Sequence, residues 1–231
     1  MKYQVSRVLA GPLLHLLWRP QITGVEHIPR TGGAIVASNH LSVVDSVFLP
    51  LMLERPLTFA AKSEYFTGRR PSQLFANAYM RATKQLSVDR DSARSAQDTL
   101  EAALRLLQAG ELFGVYPEGT RSPDGRLYRG RTGVGWLAMA SGVPVIPVAM
   151  IGTDRVLAPG HTIPGLHKVV IRVGEPMTFD AYRDKGPPAR TRRAITDDVM
   201  MAIRALSGQE YVRMYASVRK AELNGRTGGK P

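Results

Sequence analysis

Six short apolar runs punctuate the chain: "AIVAS" (34–38), "LTFAA" (57–61), "LSV" (86–88), "LFGVY" (112–116), "PVIPVAM" (144–150) and "KVVIRV" (168–173). Runs of this length, rich in β-branched or aromatic residues and bounded by turn-forming sequence, predict buried strands. Between them the apolar period changes to that of a helix. Ala96, Leu100, Ala103, Leu104 and Leu107 share one face of a helix predicted over 92–109 and stopped by Gly110. Ile195, Val199, Ile203 and Leu206 form the buried stripe of a second, predicted over 192–206. Alternating strands and helices predict an α/β fold, with a mixed, mostly parallel central sheet flanked by helices. No internal repeat and no linker divides the chain, and only the final "NGRTGGKP" reads as disordered. One domain is therefore expected over 20–208, preceded by a helix within 1–19 and followed by a basic helix and tail over 209–231.

The first segment, "MKYQVSRVLAGPLLHLLWRP", carries an apolar run of 11 residues from Val8 to Trp18, broken by Gly11 and Pro12. A spanning helix needs about 20 apolar residues, and "WRPQITG" offers no signal-cleavage site. The pattern fits an interfacial, membrane-associating helix with Leu13, Leu14 and Leu17 toward lipid and Trp18 and Arg19 at headgroup depth. It fits a helix packed on the core equally well.

Composition narrows the partners. With 231 residues and 44% hydrophobic content the chain can bury a sizeable core as one domain. Its 31 Lys and Arg against 19 Asp and Glu give a formal charge of +12, which favours anionic partners such as lipid headgroups, phosphorylated small molecules or nucleic acid. The basic cluster of Arg69, Arg70, Arg81 and Lys84, and the C-terminal "YVRMYASVRKAELNGR", suit a bilayer or a nucleotide. They suit a solvated face or a capping helix as well. The absence of cysteine removes disulfides, thiolate nucleophiles and thiolate zinc sites together. No nucleic-acid-binding motif accompanies the charge, so nucleic acid is not an expected partner. His15, His27, His161 and His167 form no metal-ligand spacing, and no metal site is expected.

Chemistry concentrates where strands run into loops. "ASNHLSVVDS" (37–46) follows the strand "AIVAS" and precedes an apolar helical stretch. His40 and Asp45 are five residues apart, about 140 degrees around a regular helix, so they cannot share one helical face. With His40 in the loop and Asp45 in the first helical turn, the carboxylate can accept one imidazole N–H and leave the other nitrogen as a base. In the competing reading, Ser42 or Asp45 is merely a helix cap and His40 an exposed loop residue. In "VYPEGTRSPDGR", Pro117 and Gly119 shape a bend whose N–H groups suit an oxyanion, and Arg121 offers a planar fork suited to phosphate. Glu118 reads as a brace for that loop or for Arg121. Arg90, in "LSVDRDS", and Lys62, after "LTFAA", follow strands of the same sheet. Taken alone Arg90 reads as a solvated surface charge, but parallel strand ends share an edge, so Arg90 and Arg121 could grip one phosphate beside His40, and Lys62 could reach that edge.

These stretches resemble the four sequence boxes of the glycerolipid acyltransferases: "NHLSVVDS", "VDRDS", "YPEGTRS" and "VPVIPVAM", in the family's order over residues 22 to 151. The similarity is greatest to the 1-acylglycerol-3-phosphate (lysophosphatidate) acyltransferases. Tyr116 stands where Phe is commoner before Pro117, and the second box reads "LSVDR" where Ile and Phe are usual. The resemblance implies a metal-free and cofactor-free enzyme, peripheral or monotopic on the cytoplasmic face of the cell membrane. It would move an acyl group from acyl-CoA or acyl-carrier protein to lysophosphatidate or another lysolipid acceptor. It casts His40 as general base and Asp45 as its orienter. Arg90 and Arg121 become phosphate ligands, and Asn39, Glu118, Gly119 and Thr120 loop support or substrate contacts.

Overall fold

The computed structural model describes residues 11, 12, 14–62, 85–88, 93–158, 161, 163–182 and 188–227. Its elements in chain order are β1 (Gln21–Thr23), β2 (Ala34–Ser38), α1 (Asp45–Met52), β3 (Leu57–Lys62), β4 (Leu86–Val88) and α2 (Ala93–Gln108). There follow β5 (Leu112–Val115), β6 (Leu127–Tyr128), α3 (Gly133–Ser141), β7 (Val145–Ile151) and α4 (Thr153–Val156). The chain then forms β8 (Val170–Val173), α5 (Pro188–Ser207), β9 (Tyr211–Val212) and α6 (Ala216–Thr227).

Seven strands make one sheet in the order β1-β8-β7-β2-β5-β3-β4. All pairs are parallel except β7 with β8. A parallel strand at the centre is covered on both faces, which is why β2 reads as an unbroken apolar run rather than an alternating one. Its odd and even positions serve different layers. Ala34 and Val36 join Phe48, Leu49 and Met150 in one core, while Ile35 and Ala37 join Ala103, Leu107, Ile195 and Val199 in the other. The first core is closed by α1, and the second by α2, α3 and α5.

The predicted strands differ from the observed ones by at most two residues, and α5 starts four residues before the predicted helix, with Pro188 in the first turn where its missing N–H costs nothing. Two helical elements, α3 and α4, and the two-stranded parallel sheet of β6 with β9 have no counterpart in the apolar pattern. Helix α6 continues through Asn224–Thr227, four residues whose composition reads as disordered. Extending a helix whose first turns are already docked costs far less than nucleating one.

Residues 14–18 are helical. Leu14 lies in the core, and Trp18 packs edge-on against Phe48 at 5.8 Å and donates from Nε1 to Gly165 O at 2.8 Å. Leu16 and Leu17, by contrast, are exposed at 74% and 37%. No helix among the described residues is long and apolar enough to cross a membrane. Arg69, Arg70, Arg81, Lys84 and Arg90 lie outside the described residues.

Candidate active site

Parallel pairing brings the C-terminal ends of β2, β3, β4, β5 and β7 to one edge of the sheet. The loop after β2 carries Asn39 and His40, and the loop after β5 carries residues 116 to 121. Asp45 is the first residue of α1 and is fully buried. Its Oδ2 lies 2.9 Å from His40 Nδ1 and accepts the backbone N–H groups of Leu41 and Ser42, both at 2.8 Å. These N–H groups precede Asp45, so the side chain folds back onto the loop instead of capping the helix. The N-cap residue, Val44, makes no side-chain capping bond. An oxygen that already accepts two N–H bonds can only accept a third, which makes Nδ1 the donor and leaves Nε2 as the nitrogen free to take a proton.

His40 is held through both its backbone and its ring. Its N–H donates to Glu118 Oε1 at 3.1 Å, and its carbonyl accepts the Ser122 N–H at 2.7 Å. Its ring stacks on Tyr116, with centroids 3.9 Å apart and planes 8° from parallel. Tyr116 stacks in turn on Phe59 at 4.8 Å, and its hydroxyl lies 2.9 Å from Ser46 Oγ. Gly114 makes room for this pile: a Cβ there would meet the Phe59 ring at 2.4 Å.

Glu118 is a brace, but not for Arg121. Its Oε1 holds His40 and its Oε2 accepts the buried Tyr128 N–H at 2.9 Å. Only 1% of Glu118 is exposed, and burial pushes its pKa up from 4.5 to about 7 against the pull of those two N–H bonds. Asn39 is also buried and clasps both the N–H and the carbonyl of Met150 at the end of β7, and its Nδ2 also donates to Gln209 Oε1 at 2.8 Å. Gly119 takes a left-handed φ of 73°, which lets the bend turn beside the Arg131 side chain. Thr120 accepts a 2.6 Å bond from Lys220 Nζ, and Arg121 is half-buried beside it. Lys62 ends β3 on the same sheet edge, but its side chain lies outside the described residues, as does all of Arg90.

The acyltransferase family model matches residues 19–151, more than half of the chain and the span holding both loops. The chain belongs to the acyltransferase family. Relatives of this chain include the chloroplastic 1-acyl-sn-glycerol-3-phosphate acyltransferase of Brassica napus, 29% identical over 157 residues that cover 68% of this chain and 44% of the relative. The 1-acyl-sn-glycerol-3-phosphate acyltransferase of Borreliella burgdorferi is 28% identical over 134 residues, 58% of this chain and 52% of the relative. The chain spans about half the length of these curated relatives. The crystal structure of the 1-acyl-sn-glycerophosphate (LPA) acyltransferase PlsC from Thermotoga maritima matches with a TM-score of 0.66 at 25% identity, covering 88% of this chain and 79% of that one. The mixed α/β sheet is thus an acyltransferase fold.

Three residues of the site escape a reading of the boxes. Tyr116 enters the sequence only as an atypical aromatic, although its place at a strand end beside Pro117 is a usable signal. Gln209 and Lys220 lie beyond the matched span, 170 and 100 residues from Asn39 and Thr120. No local pattern marks Gln209, and Lys220 stands out only as one cation of the basic C-terminal stretch.

Proposed function

We propose that this acyltransferase moves a fatty acyl group from acyl-CoA or acyl-carrier protein to the free hydroxyl of lysophosphatidate, giving phosphatidate, with His40 and Asp45 as its general-base pair. One observation carries the reading: a histidine clamped by four separate contacts keeps one nitrogen open, beside a loop that presents Arg121 and Thr120. The names of the relatives support the acceptor class, since two of them are acyltransferases of 1-acyl-sn-glycerol 3-phosphate.

In this reaction His40 Nε2 takes the proton as the acceptor oxygen forms its bond to the thioester carbonyl carbon. Asp45 stabilises the imidazolium that results. Collapse of the tetrahedral intermediate breaks the carbon–sulfur bond. A thiolate, with a pKa near 8.5, departs without help from a strong acid. Direct attack accounts for the pair without a covalent enzyme intermediate. Arg121 grips the acceptor phosphate, joined in this proposal by Arg90 and Lys62 from the same sheet edge.

The same proposal places the enzyme on the cytoplasmic face of the membrane as a peripheral or monotopic protein. Leu16 and Leu17 are exposed, as are Ile163 and Leu166 at 84% and 70%, and the Trp18 bond to Gly165 links the two segments. Exposed apolar side chains on a chain of charge +12 suit an anionic bilayer.

The test offers a panel of lysophospholipids with palmitoyl- and oleoyl-CoA and reads products by mass spectrometry. Phosphatidate is the expected product from lysophosphatidate, with turnover falling about 10²- to 10⁴-fold in His40→Ala. Wild-type turnover in that variant would remove the base assignment.

A further inference from the structure

Helix α6 follows β9, and β9 pairs with β6, the strand that begins six residues after Arg121. The junction is locked by several independent contacts. Arg129 N–H donates to Met214 O at 3.0 Å, and the guanidinium groups of Arg131 and Arg129 lie 5.4 Å and 5.6 Å from the Tyr215 ring centroid. Arg131 donates to Ser217 Oγ at 3.3 Å, Arg219 approaches Asp124 at 3.7 Å, and Ala216 is fully buried. The first turns of α6 are thereby fixed over the loop that holds Thr120 and Arg121, and Lys220 points its amine at Thr120 Oγ1, 2.6 Å away.

We propose that Lys220 is a substrate-binding residue: with Arg121 and the Thr120 hydroxyl it forms a cradle whose second full positive charge selects a terminal phosphomonoester over the phosphodiester of other lysophospholipids. The proposal rests on the lysophosphatidate reading above and specifies how that acceptor is recognised. Three features of the site support it.

The first is charge. Among the described residues, neither Arg121 nor Lys220 is ion-paired with a carboxylate. Glu118 is within electrostatic reach of Lys220, but both of its oxygens are committed to backbone N–H groups, and burial raises its pKa to about 7, which disfavours its charged form. The second is strain between like charges. Burial, and next the proximity of Arg121, lower the Lys220 pKa. A dianion between the two cations relieves that repulsion. The third is hydrogen-bond direction. Thr120 accepts from Lys220, so its own O–H remains to donate to a phosphate oxygen, while Arg121 supplies a planar fork and Lys220 two further N–H donors.

A phosphodiester carries one charge and a bulky substituent, so it gains less from the second cation. The acyl-transfer pair and the headgroup selector thus come from opposite ends of the chain.

The test compares the wild-type chain with Lys220→Met, Lys220→Gln and Lys220→Arg, using lysophosphatidate and lysophosphatidylglycerol as acceptors. Loss of one charged hydrogen bond corresponds to about 10- to 100-fold. Lys220→Met and Lys220→Gln should raise the KM for lysophosphatidate by that factor, leave the donor KM unchanged and erode the preference over lysophosphatidylglycerol. Lys220→Arg should restore most of both. Gln keeps a donor for Thr120 without the charge, so it separates loss of charge from loss of the contact. Melting curves with glycerol 3-phosphate give a readout independent of turnover: the ligand should raise the midpoint of the wild type and of Lys220→Arg, and raise it less in the other two. Equal losses for both acceptors, or an undiminished glycerol 3-phosphate shift in Lys220→Gln, would overturn the proposal. A wild type that binds glycerol 3-phosphate through Lys220 yet acylates no lysophospholipid would keep the cradle and remove the catalytic reading instead.

Discussion

The two halves of the site are built on opposite plans. His40 and Asp45 are five residues apart, and their geometry is closed by short side chains and buried backbone N–H groups. Thr120 and Lys220 are 100 residues apart and meet through a long side chain from a separate helix. A group that moves a proton must hold its geometry within fractions of an ångström, which favours local, buried construction. A group that recognises charge tolerates a longer reach, so it can be delivered from anywhere that the fold brings near. Perturbation of the first half should therefore damage turnover, and perturbation of the second should damage acceptor choice.

The largest expected effect lies in the local half. Asp45→Asn keeps the size of the side chain but removes the charge that orients His40, and turnover should fall about 10²- to 10⁴-fold with little change in acceptor KM. Steady-state kinetics with both substrates varied would show this. A fall in KM selectivity with intact turnover would contradict the division of labour.

The next concerns the brace between the halves. The Glu118 pKa is raised in the folded protein from 4.5 to about 7, so the folded state holds this proton more tightly than the unfolded chain does. The stability it contributes is complete below about pH 4.5 and is lost as pH rises through about 7, on the order of 3 kcal/mol by linkage. Urea denaturation between pH 4 and pH 8 should show that decline in the wild type and a flatter profile in Glu118→Gln, which does not titrate. Parallel profiles for the two proteins would show that Glu118 is not the titrating group.

The smallest effect sharpens the account of how His40 is held. Tyr116→Leu removes the stack and should cost about 0.5–1.5 kcal/mol in kcat/KM, roughly 2- to 12-fold. Tyr116→Phe keeps the stack, removes the hydroxyl that meets Ser46 and should stay within about threefold of wild type. A Phe variant as damaged as the Leu variant would transfer the function of Tyr116 from its ring to its hydroxyl.

Much of this was legible without coordinates, for identifiable reasons. The central strands β2 and β5 are covered on both faces, so they stand out as continuous apolar runs. Helices α2 and α5 announce themselves because one face meets the core and the other meets water. The loop after β2 stood out because Asn, His, Ser and Asp crowd into a few positions at a strand end. Helix α3 was hidden by Gly133 and Gly135, which argue against a helix by propensity, and packing against α5 holds it nonetheless. Strands β6 and β9 are two residues each, too short for any periodicity, and each exists only because the other is beside it.

The sequence by itself determined the mostly parallel α/β sheet and the edge that bears the chemistry, since both follow from local pattern; its short spacing left His40 and Asp45 either a pair or a capped turn, a choice the fold settled by turning Asp45 back onto His40. Only the tertiary structure decided that Glu118 braces His40 rather than Arg121, that Tyr116 lies flat against the imidazole, and that Gln209 and Lys220 belong to the site. Those contacts join segments separated by many residues, and their partners are chosen by where strands and helices pack, a quantity that no single window of the chain contains.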